Sequence, residues 1–404
     1  MTGITGMGDT FDLPNYHGEL FALSPADTPL LSALGGLTGG EHVLAKEFEW
    51  QGYDLRTPGQ NVALEGAAAP TAQARVRQNF SNVLQIVQSK VSTSYTKQAA
   101  VGHFAANAAP INGANPVTDE HDWQLTQEIK QIARDVNWTF INGQYSKPVD
   151  NSAPRMTRGL MQSISAANTV DKGTNVATGA SSATTSITPV AAHSLAVNDV
   201  VFFTKTGDAT NIRTGTPYWV KTVSTTVSFT VAATKGGTAL TLGTSTANID
   251  YHSAGTTAPT VGDINEFTQR VFDGGGLTDG LGTFLCNSSQ KVNLTKAYLD
   301  AYGKARLITN GEKVGGVSVD QIITDFGTLN IMLERAMPQD AIALTSLSEL
   351  KPKFLLIPGK GSFFEEELAK VGASYDTQLY GEIGLQTGSP ITHGVMRGLP
   401  FLGQ

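Results

Sequence analysis

The residues that could do chemistry in this sequence are few, and their spacing does not suit it. Seven histidines stand at His17, His42, His103, His121, His193, His252 and His393. None forms a His-x-x-x-His pair, the spacing that puts two imidazoles on one helix face for zinc. His121 follows Asp119 and Glu120 and precedes Asp122. Such a set could ligate a cation. Acidic residues also gather at helix starts, where they meet the positive end of the dipole, and a solvated helix start is the simpler reading. Cys286 is the single cysteine, flanked by Phe284 and Leu285. It can form no intrachain disulfide and no multi-cysteine zinc site, and it reads as a small buried hydrophobe in a reducing compartment.

Other reactive patterns are equally bare. There is no Gly-x-Ser-x-Gly elbow, phosphate loop or dinucleotide fingerprint. Gly274, Gly275 and Gly276 follow a helical pattern and act as its stop, whereas a phosphate cradle would precede one. Gly315-Gly316 reads as a turn. The run Phe363-Phe364-Glu365-Glu366-Glu367 could bind a cation through its carboxylates. A solvated face or an intersubunit ion pair asks less of it. Tyr218 and Trp219 read as core residues, since no aromatic cluster surrounds them as a sugar platform would need. No catalytic residue, cofactor-binding residue or metal ligand is therefore assigned, and no cofactor is expected.

Charge and length set broader limits. The 404 residues suffice for two or three domains at about 100–200 residues each. Net charge is −7, with no long basic run, so the chain lacks the clustered Lys and Arg that displace counterions from phosphates. A mildly acidic surface suits a container that must not trap its nucleic acid. No run of about 18 apolar residues suggests a membrane helix. The opening Met-Thr-Gly-Ile-Thr-Gly has no basic or apolar signal region, so synthesis and use in the cytoplasm are expected.

The elements that would position these side chains fall into five stretches. Residues 1–41 are broken by Gly and Pro, with Leu30, Leu31 and Leu34 as short apolar clusters, and read as an arm that packs on something else, such as a neighbouring subunit. Residues 42–92 read as an extended hairpin loop. One strand runs from His42 to Leu55, with Phe48 and Trp50 alternating with Glu47, Glu49 and Gln51; the other runs from Ala74 to Thr93. Between them lies a soft tip, Arg56 to Thr71. Residues 93–164 hold the clearest helix, 118–143, with Thr118 as N-cap. Leu125, Ile129, Ile132, Ala133, Val136 and Phe140 form its apolar stripe, and Asn142-Gly143 a left-handed cap. That helix would span roughly 35–40 Å.

Residues 165–258 are sparse in charge and rich in Thr, at roughly a quarter of the segment, as half-exposed strands favour. Runs at 185–188, 200–205, 218–223, 228–232 and 239–242, separated by turn residues, predict an inserted β-sandwich or barrel. Residues 259–404 return to mixed α/β. Helices are expected at 263–273 and 288–302 and strands at 317–324, 329–335, 341–344 and 379–385, with turns at Asn310-Gly311 and Pro338-Gln339-Asp340. The fold class is α+β.

The order of these parts resembles the major capsid proteins of tailed bacteriophages with the Hong Kong 97-type fold, and more narrowly an actinobacteriophage-like branch. The resemblance covers residues 25–165 and 258–400. It rests on Thr28-Pro29-Leu30-Leu31-Ser32-Ala33-Leu34 in the arm, and on Glu49-Trp50 with Asp54-Leu55 in the first hairpin strand. Glu65-Gly66 falls at the tip, and Arg77-Gln78-Asn79 with Gln85-Ile86 in the returning strand. Arg158-Gly159-Leu160 follows the long helix, and Leu368-Ala369-Lys370-Val371-Gly372 precedes Gly381-Glu382-Ile383-Gly384-Leu385.

The resemblance implies a non-enzymatic shell subunit. The long helix would be the spine of a peripheral domain that begins at residue 93. The 42–92 loop would lie over a neighbour, and residues 259–404 would form an axial domain with returning peripheral strands. Its partners would be itself in hexamers and pentamers, with scaffold, portal and decoration proteins beside it. It would enclose double-stranded DNA without sequence-specific contact, and it would touch no membrane. Some such proteins crosslink a hairpin lysine to a neighbour's asparagine. Lys46 and Lys90 lie at the base of this hairpin and the tip has no lysine, so no crosslink is expected.

The expected assembly residues are Glu49, Trp50, Asp54, Arg56, Glu65, Arg75, Arg77 and Phe80. The charged ones would pair across subunits. Trp50 and Phe80 would serve as buried anchors, or else pair with each other across the strands of their own chain. Another virion protein, a decoration, tail or adhesion subunit, is the competing reading, because the Thr-rich segment suits surface display. A fibre would show repeats and lack the long helix. An enzyme is the third, and no residue pattern calls for one.

Overall fold

The computed structural model describes residues 22–99, 119–224, 227–277, 281–302, 320–370 and 372–401. The first half of the arm, Thr118, Asn310-Gly311 and Gly315-Gly316 lie outside the described residues. The chain forms two compact units, each drawing on separated stretches of sequence. One holds 1–27, 88–132 and 364–380; the other holds 28–87, 133–363 and 381–404.

A short helix α1 (Pro29–Ala33) starts on a proline, which has no N–H to leave unpaired. Leu30 and Leu31 are buried within their own chain, so this part of the arm packs on its own subunit. Strand β1 (Glu41–Val43) leads to the hairpin strands β2 (Glu47–Tyr53) and β3 (Arg77–Val83), then β4 (Gln85–Ser94) and helix α2 (Tyr95–Ala99). Both hairpin strands are shorter than expected. β1 pairs with a strand near residue 353 instead of continuing into β2, and buried Leu84 interrupts the return between β3 and β4.

The long helix α3 (Glu120–Asn142) follows the predicted stripe: Ile132, Val136 and Phe140 are buried, Leu125 and Ile129 half-buried. Gly143 is not left-handed. It is needed because a Cβ there would come 2.7 Å from the Thr157 carbonyl oxygen. A single turn α4 (Leu160–Ser163) and strand β5 (Thr169–Asp171) precede the Thr-rich segment.

That segment is a closed six-stranded barrel. Its strands are β6 (Val176–Ala183), β7 (Ser186–Thr188), β8 (Val200–Lys205), β9 (Pro217–Ser224), β10 (Ser228–Ala232) and β11 (Ser245–Ser253), in the ring order β10-β7-β6-β11-β8-β9. The expected strand at 239–242 is absent; only Ala239 makes a bridge, to Ala232. Its place in the ring goes to β6 and β11. Phe203, Tyr218, Phe229, Val231, Ile249 and Tyr251 fill the interior.

The second unit continues with α5 (Val261–Asp273). Thr260 and Asp263 cap it reciprocally, and Gly274 to Gly276 stop it as expected. Then come β12 (Leu281–Cys286), α6 (Ser288–Tyr302), β13 (Gln321–Thr324), β14 (Gly327–Leu333), β15 (Ile342–Thr345), β16 (Lys351–Leu355), β17 (Phe363–Glu367), β18 (Ser374–Gln386) and β19 (Gly394–Arg397). One sheet runs β13-β14-β12-β15-β19-β5. Ile264, Phe267 and Val271 of α5 and Leu294 of α6 share a core with Phe284, Leu329, Leu344 and Met396 of this sheet. In a second sheet β1 pairs parallel with β16 and β16 antiparallel with β18, while β17 and β4 also join β18. The run 363–367 is thus an edge strand with its three glutamates exposed.

Candidate assembly interface

The hairpin is a two-stranded ribbon. β2 and β3 pair antiparallel from Glu47 opposite Val83 to Tyr53 opposite Arg77. Alternation puts Phe48 and Trp50 on one face, stacked with ring centroids 6.0 Å apart, and Phe80 lies opposite Trp50, also at 6.0 Å. The aromatic pair therefore partners across strands of one chain, and both rings keep part of their surface exposed. Gly52 makes room for this, since a Cβ there would come 2.7 Å from the Phe80 ring. The Trp50 indole N–H donates to the Gly388 carbonyl at 2.7 Å, which ties the ribbon to the segment that follows β18. The other face is polar and exposed. Asn79 donates to Glu49 at 3.3 Å, and Arg77 to Gln51 at 3.1 Å.

The base of the ribbon is anchored by a residue that sequence reasoning missed. Asn82 is buried; its amide donates to the carbonyls of Leu385 (2.7 Å) and Arg158 (3.1 Å) and accepts from the Arg158 N–H (2.9 Å). A lone polar residue before Val83-Leu84, on the apolar side of the alternation, was the available signal. Lys147 meets the Glu47 carboxylate at 2.6 Å, which raises the lysine's pKa.

Beyond the ribbon, residues 54–76 have no regular secondary structure and are exposed throughout. A turn at Leu64–Ala67 uses Gly66 in the left-handed region, φ 78°. Arg56 and Glu65 lie here, within the expected tip; Asp54 and Arg75, expected on the flanking strands, lie here too because those strands are shorter. With them stand Tyr53 (74% exposed), Leu55 (69%), Val62 (74%), Leu64 (85%) and Val76 (81%). Water meets five large apolar side chains within one short stretch, a density that ordinary monomer surfaces seldom show.

Several of the reactive side chains have structural roles. Cys286 is fully buried, which pushes its thiol up to about 12. His121 is not a solvated helix start. Its Nδ1 lies 3.1 Å from the Thr93 hydroxyl and its Nε2 2.9 Å from that of Thr377, so it joins α3 to β4 and β18 within the first unit. Tyr218 is core, and its hydroxyl accepts from the Arg213 N–H at 2.9 Å. Among the described residues no three His, Cys, Asp or Glu side chains group as a metal site, and no helix is long and apolar enough to cross a membrane.

The capsid of a native GTA particle, solved with C5 symmetry, aligns over 96% of this chain and 95% of its own at a TM-score of 0.50 and 10% identity. The capsid of cyanophage P-SCSP1u aligns over 96% and 93% (TM-score 0.46, 10% identity), and a chain of Mycobacterium phage Adephagia over 96% and 94% (0.44, 11%). No curated protein matches the sequence. The SU10 major capsid protein family matches residues 3–400, and the chain belongs to that family. It is a structural subunit of an icosahedral phage head with a Hong Kong 97-like fold, it self-assembles into the shell, and it is not an enzyme.

Proposed function

We propose that the subunit assembles as pentamers and hexamers, with the 42–92 hairpin of each copy lying over a neighbour. The observation that carries this reading is the tip, where Leu55, Val62, Leu64 and Val76 are exposed on a stretch with no strand partner of its own, next to the exposed Tyr53 at the end of β2. Apolar side chains displayed this way mark a surface that another molecule covers. Asp54, Arg56, Glu65 and Arg75, with Glu49 and Arg77 on the ribbon's polar face, set register and exclude wrong partners by charge.

Residues 165–258 act as an inserted domain on the outside of the head. A closed barrel suits display because it offers no free edge for another strand to extend. The head encloses double-stranded DNA, is built in the host cytoplasm, and works with scaffold, portal and decoration proteins. The net charge of −7 keeps the wall from holding its contents.

Negative-stain electron microscopy of the purified protein, alone and co-expressed with its neighbouring viral genes, tests the reading. Closed shells, or free hexamers and pentamers, are expected. A monodisperse monomer or trimer under every condition overturns it. Arg77→Glu leaves a soluble fold, since Arg77 is exposed and its partner Gln51 is neutral, but impairs shell formation. Normal shells from that variant remove Arg77 from the interface.

A further inference from the structure

Three glycines and one buried pair meet where the barrel joins the rest of the second unit. The chain enters the barrel through residues 172–174 and leaves through 253–255. Gly173, Gly255 and Gly398 lie backbone against backbone. A Cβ on Gly173 would run into the Ser253 carbonyl, one on Gly398 into the Gly173 N–H, and one on Gly255 would come 2.6 Å from the Gly398 oxygen. The Gly255 N–H donates to the Gly398 carbonyl and the Lys172 N–H to that of Arg397, both at 2.8 Å.

Beside this contact, His252 near the end of β11 places Nε2 2.5 Å from Oδ2 of Asp340, and their side chains are 4% and 0% exposed. The same Asp340 oxygen accepts from the Gly398 N–H at 3.1 Å, and the Asp340 carbonyl accepts from the Leu399 N–H at 2.9 Å. Phe202 stacks on the His252 ring at 5.9 Å and meets Phe401 edge-on at 5.6 Å. The remaining atoms of the pair, His252 Nδ1 and Asp340 Oδ1, have no hydrogen-bond partner among the described residues. The pair is therefore fastened by one bond. A cavity of about 200 Å³, lined by Phe202, Phe203, Ala341 and Val395 among others, lies next to it.

We propose that the His252–Asp340 pair is a lock. While it holds, the barrel and the six-stranded sheet move as one rigid body. When it is lost, the barrel swings about 172–174 and 253–255 into the adjoining space, and neither part unfolds. The two parts have separate cores, so each keeps its own stability. Between them lies a small shared apolar cluster of Val200, Phe202, Ala254 and Phe401. The Thr214 hydroxyl also donates to the Asn142 carbonyl at 2.9 Å, and the Gln144 amide to the Thr204 carbonyl at 3.2 Å. The desolvated pair outweighs each of these single contacts, because removing either partner strands the other in a buried site. On the head, the lock would make every barrel present the same face at the same angle. That consequence rests on the shell reading; the lock itself does not.

Hydrogen exchange on the unassembled full-length chain separates the two questions. In Asp340→Asn, the amides of Gly255, Gly398 and Leu399 should lose about 100-fold of their protection, while Leu240 and Leu242, bonded inside the barrel, stay within about threefold of the parent. His252→Phe, which keeps the stack on Phe202 and removes the nitrogen, should give the same pattern. Root amides that keep parental protection in both variants overturn the lock. So does loss at the root and inside the barrel together, which would make the pair part of a common core.

Discussion

Glu334 shows what single residues contribute that the sequence did not announce. It reads as one polar position at the end of a strand, yet it is buried and accepts from the Leu30 N–H (3.0 Å), the Ala336 N–H (3.0 Å) and the Asn137 amide (2.8 Å). Asn137 in turn accepts from the Leu31 N–H at 2.9 Å. Two side chains more than a hundred residues from the arm thus satisfy the open N–H groups of α1. Such caps cannot be read from local pattern, because both partners come from elsewhere in the chain. Glu334→Ala strands those donors in a dry site and should cost ~2–4 kcal/mol, measured by urea unfolding of the unassembled protein. A change below about 0.5 kcal/mol would mean that water replaces the carboxylate. Asp376 supplies a pH prediction. The Ser92 hydroxyl, then the Lys90 ammonium, hold its carboxyl at about 2. An unfolded aspartate titrates near ~3.9, so this stabilisation is complete above that pH and drains away as pH falls toward 2. The stability gap between the parent and Asp376→Asn should close across that window. A gap that stays constant through it would place the effect outside this carboxyl.

At the scale of elements, α3 was legible because one apolar stripe repeats along it, and α5 because its apolar positions and its glycine stop are local signals, whereas its Thr260–Asp263 cap went unread. The barrel was legible only in part. β8, β9 and β10 carry the branched and aromatic residues that announce a strand; β6, Val-Ala-Thr-Gly-Ala-Ser-Ser-Ala, carries almost none. The barrel needs small residues there. Ala180 pairs with Ile249, and both point inward among Phe203, Phe229 and Tyr251. Small side chains on one strand make room for large ones on its neighbours, so the strand that fits best looks least like a strand. Ala180→Leu should therefore overpack the barrel by ~1–3 kcal/mol. Its thermal unfolding should shift while hydrogen exchange in the six-stranded sheet stays parental. An unchanged midpoint would mean that the interior has slack the side chains do not show.

For the whole molecule, the order of parts was readable well before any one part was, because arm, hairpin, long helix and α/β body follow one another along the chain. What sequence could not supply was the mounting of the barrel. Its seam depends on Gly173, Gly255 and Gly398, and glycines announce turns as readily as close approaches. The seam makes a strong prediction about the shell. Gly255 lies against the residue 172 carbonyl, so the two ends of the barrel segment are already side by side. Residues 174–254 can then be replaced by a short Gly-Ser bridge without stretching β5 or α5. Asp340 and Phe401, which the barrel covers, would face water, where a carboxylate carries no desolvation cost and one phenyl ring little. The body's own core and the hairpin are untouched, so the shortened chain should form heads of the parental diameter that lack only the density the barrel contributed. Soluble capsomers that never close would show that barrels meet one another on the shell and help to set its curvature. Insoluble protein would show that the body leans on the barrel for its stability, and the two cores would then have to be counted as one.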